Sequence, residues 1–181
     1  MKIAFLSSEV APFAKTGGLA DVAGALPRFL AKQGLEVRIF MPLYREVRKK
    51  GFPLRQAAER LPLDWAGKED GFTVWESAES GTFVYFIDKP AFYDREGLYG
   101  TAAGDYEDNG PRFAFFSKAS LAAMKALDFA PDVIHVHDWQ SAIALAYLKT
   151  IYGRDPFFKT VKSLCTIHNL AYQGIFEPTV L

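Results

Sequence analysis

The sequence predicts an α/β fold: an open, mainly parallel sheet with helices on both faces and a β-hairpin insertion. Two observations support this class. Four short runs are largely apolar, as buried strands are, and the segments between them carry apolar residues at helical spacing. Strands that alternate with helices in this way form parallel sheets. The four runs are residues 3–6, 37–41, 133–136 and 162–167, and we expect their βα units to complete one buried sheet.

The predicted helices rest on local start and stop signals. The first follows a glycine loop and should end near Gly34, with Pro27 as a kink or local irregularity. Residues 109–111 (Asn-Gly-Pro) should open a second helix, because proline suits the first helical turn. A third is expected over residues 141–152. The charged residues 44–50 favour a short helix with a solvated face.

A hairpin and a long loop occupy the middle of the chain. Residues 72–76 and 82–87 are rich in aromatic and β-branched side chains and are joined by a short polar connection, which predicts a hairpin. Residues 88–109 predict an irregular loop, and loops of this length are usually functional or disordered. Its three tyrosines are Tyr93, Tyr99 and Tyr106. We expect them to be exposed and able to stack against a sugar.

Composition limits the function classes. The chain has 181 residues and is 50% hydrophobic, so residues 1–181 can form one globular domain. Its 21 basic and 21 acidic residues balance, which argues against nucleic acid as a partner. No apolar stretch approaches the ~20 residues of a membrane span. The single Cys165 cannot form an internal disulfide. We therefore expect a cytoplasmic protein that binds neither membranes nor nucleic acid.

The most informative stretch is the glycine loop at residues 15–22, KTGGLADV. It follows the first predicted strand and leads into a helix. Backbone N–H groups at a helix N-terminus bind anions, and paired glycines let a ligand approach the backbone. Lys15 adds a positive charge. A phosphate or diphosphate is the expected ligand, and a simple strand-to-helix turn is the alternative.

Better-known glycine loops do not fit this stretch. The chain contains no P-loop string, and Gly17, Gly18 and Gly24 lack the spacing of the dinucleotide fingerprint. That absence weakens the hypothesis of a nicotinamide-dependent oxidoreductase. Lys15-Thr16-Gly17 matches a β-lactamase motif, but its partner motifs are missing.

All three histidines lie at the ends of two later strands. His135, His137 and Asp138 belong to the first strand end, and His168 and Asn169 follow the second. Ligands in parallel sheets bind at the carboxyl ends of strands, so these side chains are candidates for binding or catalysis. Three alternatives remain open here: a metal site at His135 and His137, a hydrogen-bonded core role for His135 with His137 supporting the turn, and a helix N-cap role for Asp138.

Five motifs in register resemble one family. They are residues 7–12 (SSEVAP), 15–22 (KTGGLADV), 87–88 (ID) followed by 92–95 (FYDR), 135–139 (HVHDW) and 166–174 (TIHNLAYQG). Together they resemble the bacterial glycogen synthase and plant starch synthase family from residue 1 to about residue 174. The resemblance implies a retaining glycosyltransferase that moves glucose from ADP-glucose, or in some members UDP-glucose, to the non-reducing end of an α-1,4-glucan.

The resemblance also implies a fold and a set of roles. The family has two Rossmann-like domains facing a cleft (the GT-B arrangement) and requires no metal or other cofactor. This chain corresponds to the N-terminal, acceptor-side domain, without the C-terminal nucleotide-binding domain. Asp138 and His168 are then the catalytic candidates. The nucleotide-sugar contacts are Lys15, Thr16, Gly17, Gly18, Asp21 and Asn169. Further acceptor or loop contacts are Glu9, Tyr93, Tyr172 and Gln173.

Two functions from different classes therefore compete. One is the N-terminal half of an ADP-glucose-dependent glucan synthase, inactive without its second domain. The other is a non-catalytic carbohydrate-binding or interaction module that keeps the fold.

Overall fold

The computed structural model describes residues 1–79 and 81–176. The strands within these ranges are β1 (Lys2–Leu6), β2 (Glu36–Pro42), β3 (Arg55–Trp65), β4 (Lys68–Ser77), β5 (Phe83–Asp88), β6 (Gly100–Thr101), β7 (Gly104–Asp105), β8 (Val133–His137) and β9 (Lys162–Thr166). The α-helices are α1 (Gly18–Lys32), α2 (Arg45–Lys49), α3 (Pro90–Tyr93), α4 (Asn109–Ala126) and α5 (Asp138–Lys149). None of the helices in the described ranges is long and apolar enough to cross a membrane.

Seven strands form one sheet in the order β3-β4-β5-β2-β1-β8-β9. The five strands from β5 to β9 in that order run parallel, which confirms the predicted class. β1 lies between β2 and β8, and its apolar side chains are 0–6% exposed. The predicted strands 3–6, 37–41 and 133–136 all lie within observed strands.

The hairpin is confirmed, but its strands belong to the main sheet. β4 and β5 pair antiparallel, and β5 pairs with β2 in parallel. β3, which the sequence did not predict, adds a further antiparallel strand at the edge. Its pairing with β4 shifts register twice between Gln56 and Leu61, and only Leu63 is buried along it. The alternation that identifies a half-buried strand is therefore lost.

The helices follow the expected positions with some differences at their ends. Helix α1 continues through Pro27 to Lys32, and Gly34 follows with a φ of +82°. Helix α4 begins at the predicted asparagine. Helix α5 begins at Asp138, three residues earlier than predicted.

The loop before α4 is ordered around a buried arginine. Arg112 is 0% exposed and donates hydrogen bonds to the backbone oxygens of Phe92 and Leu98 and to Asn109 Oδ1. Tyr93 is also 0% exposed, and its hydroxyl donates to the Arg112 carbonyl at 2.8 Å. The expectation that the three loop tyrosines are exposed is therefore wrong: Tyr93 is buried, and Tyr99 and Tyr106 are half-buried.

The last strand, β9, departs from the expected buried sheet. It is the edge strand beside β8, and four of its five residues are exposed. Leu164 is 50% exposed and Ile167, just after the strand, is 62% exposed. Cys165 is an exposed free thiol. The βα units described therefore do not bury every strand of the sheet.

Candidate active site

Three strand ends meet in one cleft of about 670 Å³. β1, β8 and β9 are parallel neighbours, so the segments that follow them lie at the same edge of the sheet. Eight of the twelve predicted site residues line the cleft: Glu9, Thr16, Gly17, Gly18, Asp138, His168, Asn169 and Tyr172. Lys15, Asp21, Tyr93 and Gln173 are absent from its lining.

The two loop glycines are not required by packing within the described chain. Gly17 is the N-cap of α1, and Gly18 is its first residue. A Cβ added to either meets no atom within 4 Å. A Cβ on Gly24, by contrast, would lie 2.6 Å from the carbonyl oxygen of Ala11, so that glycine serves helix packing. The open space at Gly17 and Gly18 faces the cleft, where a ligand can approach the backbone.

A carboxylate of the chain itself already occupies part of the glycine loop. Glu9 is 4% exposed and accepts hydrogen bonds from the backbone N–H groups of Thr16 and Gly17 and from the Thr16 hydroxyl. The Tyr99 hydroxyl also donates to it at 2.6 Å. Of the two glycine amides expected to bind a diphosphate, the Gly17 amide is therefore engaged. The Gly18 amide has no acceptor within the described residues.

Lys15 begins the glycine loop but does not line the cleft. Its ammonium forms an ion pair with Asp21 at 2.6 Å, and both side chains are about half exposed. Exposed pairs of this kind contribute ~0–1 kcal/mol, so the pair can open at little cost.

Asp138 holds an unusual position at the end of β8. Its φ is +55°, a left-handed conformation that is strained for most side chains. Helix α5 begins at this residue, and the residue in the N-cap position is His137. Instead, Asp138 Oδ1 accepts the backbone N–H of His168 at 2.7 Å. The N-cap alternative is therefore wrong, and the carboxylate joins the ends of β8 and β9 inside the cleft.

The three histidines link the same two strand ends. His135 Nε2 lies 2.7 Å from Thr166 Oγ1, and His137 Nδ1 lies 2.9 Å from His168 Nε2. His135 is 8% exposed and His137 is 0% exposed, so the hydrogen-bonded core role is confirmed for His135. Burial, together with His135 and His168 nearby, lowers the pKa of His137 to about 2. We find no group of three or more candidate metal-ligating side chains in the described parts of the chain.

The buried His137 predicts a loss of stability in mild acid. The unfolded chain binds a proton on this residue near its ordinary pKa of 6.5, whereas the folded chain does not. The free energy of unfolding should therefore be highest above that pH and fall by ~2 kcal/mol on going to about pH 5. Burial also lowers the pKa of His135, which acts in the same direction. Urea unfolding at several pH values measures the slope, and His137→Phe should reduce it. An unchanged slope in that variant would contradict the assignment.

The segment after β9 brings two more predicted residues into the cleft. Asn169 Oδ1 accepts the N–H of Ala171, which leaves its amide nitrogen free to donate. Tyr172 is 69% exposed and lines the cleft. Gln173 donates instead to the carbonyl of Leu170.

Several lining residues are not among the predicted site residues, although three of them lie within the quoted motifs. They are Leu19, Val22, Asp105, Asn109, Trp139 and Gln140. The sequence indicates Asn109 only as a helix start, yet its side chain bridges Tyr99 and Arg112. Gln140 is 8% exposed, and its Oε1 has no hydrogen-bond partner in the described chain. A buried acceptor without a partner in a cleft is suited to a ligand hydroxyl.

The cleft is acidic. Glu9, Asp105 and Asp138 line it, and none of its described lining side chains is a lysine or arginine. The positive potential on this wall comes from the Gly18 amide and the N-terminus of the 15-residue helix α1. A diphosphate bound here would need additional cations from outside the described residues.

Comparison with known proteins assigns the family. The family model of the starch synthase catalytic domain matches residues 2–181. The chain belongs to this family. It is 46% identical to a glycogen synthase of Syntrophotalea carbinolica over 97% of the chain and 36% of that protein. It is 43% identical to a glycogen synthase of Thermotoga maritima, covering the whole chain and 37% of that protein.

A solved structure has the same fold. The catalytic domain of starch synthase IV from Arabidopsis thaliana, bound to ADP and acarbose, matches with a TM-score of 0.82 and 30% identity. The match covers 95% of this chain and 34% of that one. The chain thus spans about a third of the length of the proteins it matches.

Proposed function

We propose that this chain forms one wall of the active site of a retaining glucosyltransferase, which transfers glucose from ADP-glucose to the non-reducing end of an α-1,4-glucan. The observation that carries the proposal is the meeting of a free helix N-terminal amide, Gly18, with Asp138 and His168 in one cleft. The glycogen synthase relatives and the starch synthase IV structure with bound ADP and acarbose support the substrate classes.

The two ends of the cleft suit the charges of glycosyl transfer. The sugar passes through an oxocarbenium-like state, while negative charge builds on the departing diphosphate. The Gly18 amide at the helix N-terminus stabilises negative charge. The Asp138 carboxylate stabilises positive charge or orients sugar hydroxyls, and His168 hydrogen-bonds the transferred glucose. No covalent intermediate on Asp138 is part of the proposal.

The proposal assigns residues 1–181 to the N-terminal, acceptor-side part of a two-domain protein. The acidic cleft wall supports this assignment, because a diphosphate donor requires cations that these lining residues lack. A facing C-terminal domain would supply them. Lys15 can assist after leaving its exposed partner Asp21. A cytoplasmic location is part of the same proposal, since the lone Cys165 needs no oxidising compartment.

Gly18 offers a sharp test in the intact protein. Gly18→Pro removes the free N–H at the first helical position, which tolerates proline. Gly17 before it is already extended, with φ −147° and ψ −165°, as a residue preceding proline must be. The fold should persist, while loss of one charge-assisted contact lowers kcat/KM for ADP-glucose by about 10- to 100-fold.

Two alanine variants provide matched controls. Gly18→Ala keeps the N–H and adds a Cβ only to open space, so its free energy of unfolding should match the parent while donor use falls. Gly24→Ala forces a Cβ against the Ala11 carbonyl and should cost ~1–3 kcal/mol of stability. Unchanged donor kinetics in both Gly18 variants would remove the loop from the proposed site.

A further inference from the structure

His137 is a buried residue whose position suggests a role beyond packing. It ends β8, and its ring stacks on Phe5 with centroids 3.9 Å apart. Its backbone N–H donates to Ser141 Oγ at 2.7 Å, which fixes the main chain. Its Nδ1 lies 2.9 Å from His168 Nε2, and its own Nε2 is buried without a partner in the described chain.

The unpartnered Nε2 indicates which nitrogen carries the proton. One proton must lie between His137 Nδ1 and His168 Nε2. If His168 donated it, neutral His137 would carry its proton on Nε2, as a buried N–H without an acceptor. If His137 donates it, Nε2 keeps only an unused lone pair. Buried N–H groups without partners are the rarer and costlier case. The arrangement with His137 as donor is therefore favoured.

We propose that His137 is a positioning residue, whose Nδ1–H donates to His168 Nε2 and thereby fixes the orientation and tautomer of the His168 ring. The kinetic part of this inference rests on the proposed glucosyl transfer. With Nε2 accepting, neutral His168 carries its proton on Nδ1. It then presents a hydrogen-bond donor to an oxygen of the bound sugar or phosphate, rather than an acceptor.

The surroundings of His168 explain why such support is needed. The residue follows the exposed edge strand β9 and is itself exposed. The backbone N–H of His168 donates a hydrogen bond to Asp138. Among the described residues, only His137 forms a hydrogen bond with the His168 ring. His135 cannot replace His137, because its Nε2 is already bonded to Thr166. Burial lowers the pKa of His137 to about 2, so its ring stays neutral near neutral pH. The ring therefore carries one N–H and does not gain a second.

The tautomer can be measured directly in the intact protein labelled with ¹⁵N-histidine. Long-range ¹H–¹⁵N correlation spectra distinguish protonated from unprotonated ring nitrogens, and a His168→Gln difference spectrum identifies the His168 signals. We expect His168 protonated on Nδ1 in the parent, and a mixture that includes the Nε2–H form in His137→Phe. A parent His168 protonated on Nε2, or an unchanged tautomer in His137→Phe, would overturn the proposal. This readout does not depend on any enzymatic activity.

Kinetics of two variants separate positioning from packing. His137→Phe keeps the ring stacked on Phe5 but has no donor, whereas His137→Asn loses the ring but carries an amide N–H at the place of Nδ1. A positioning role predicts that kcat for ADP-glucose falls by about 10- to 100-fold in the Phe variant, with KM nearly unchanged, and falls less in the Asn variant. The reverse order would assign His137 to packing only. Absence of transfer in the parent would contradict the proposed function and leave the spectroscopic test to decide this inference.

Discussion

Transfer of glucose from ADP-glucose to glycogen is expected to be undetectable when this chain is assayed by itself. The described cleft offers the Gly18 amide, Asp138 and His168 on one wall, but none of its lining residues is a lysine or arginine. Preorganised positive charge usually contributes most to the stabilisation of a departing diphosphate, and each lost donor costs ~3 kcal/mol. Losing several together lowers the rate by many orders of magnitude.

The assay needs a purified chain that is monodisperse and folded by near-ultraviolet circular dichroism. A protein that joins this chain to the proposed C-terminal domain, prepared in the same way, serves as the positive control. Radiolabelled transfer to glycogen is the sensitive measurement. One result would contradict the expectation that residues of the proposed second domain are essential. It is transfer by the chain alone that persists through further purification and that Gly18→Pro abolishes.

The central strands and helices can be predicted from the sequence, because each is indicated by the pattern of its own residues. Residues 3–6 are continuously apolar because β1 is buried on both faces of the sheet, and the sequence pattern reports that burial directly. The glycine loop and the residues after β8 and β9 meet in one cleft as expected, because parallel strands bring their carboxyl ends together.

Features that depend on contacts between residues far apart in the sequence cannot be predicted in this way. β3 escapes prediction because its register shifts break the alternation of side chains. Tyr93 has the local sequence of a surface residue, but the hydrogen bonds of Arg112, 19 residues later, draw the loop over it. Nothing local to Glu9 indicates that its carboxylate reaches the amides seven and eight residues away.

The Glu9 carboxylate that occupies the glycine loop limits which backbone amides a donor phosphate can reach. A diphosphate that approaches the Gly17 amide meets a carboxylate already hydrogen-bonded there, and the two anions repel each other. In the proposed site, Gly18 is therefore the amide left to bind a phosphate oxygen, and Glu9 fixes the loop conformation around it.

Asp138→Asn is expected to lower kcat by about 10²- to 10³-fold while leaving the fold intact. The conformation at this residue has a φ of +55°, which asparagine tolerates better than most residues. Asparagine Oδ1 can also accept the His168 N–H that Asp138 Oδ1 accepts at 2.7 Å. The substitution therefore removes mainly the negative charge, and its effect on the free energy of unfolding should be below ~1 kcal/mol.

Asp128→Asn is the matched control, because Asp128 also has a positive φ, +49°, but is exposed after α4 and does not line the cleft. Both variants make the same chemical change at a residue with a positive φ of similar size. Steady-state kinetics with ADP-glucose and glycogen, together with urea unfolding, should show activity lost in the first variant and retained in the second. Equal activity of the two would exclude the Asp138 charge from catalysis. The loss expected for Asp138→Asn corresponds to ~3–4 kcal/mol of transition-state stabilisation, the size typical for an oriented charge in a site closed to water.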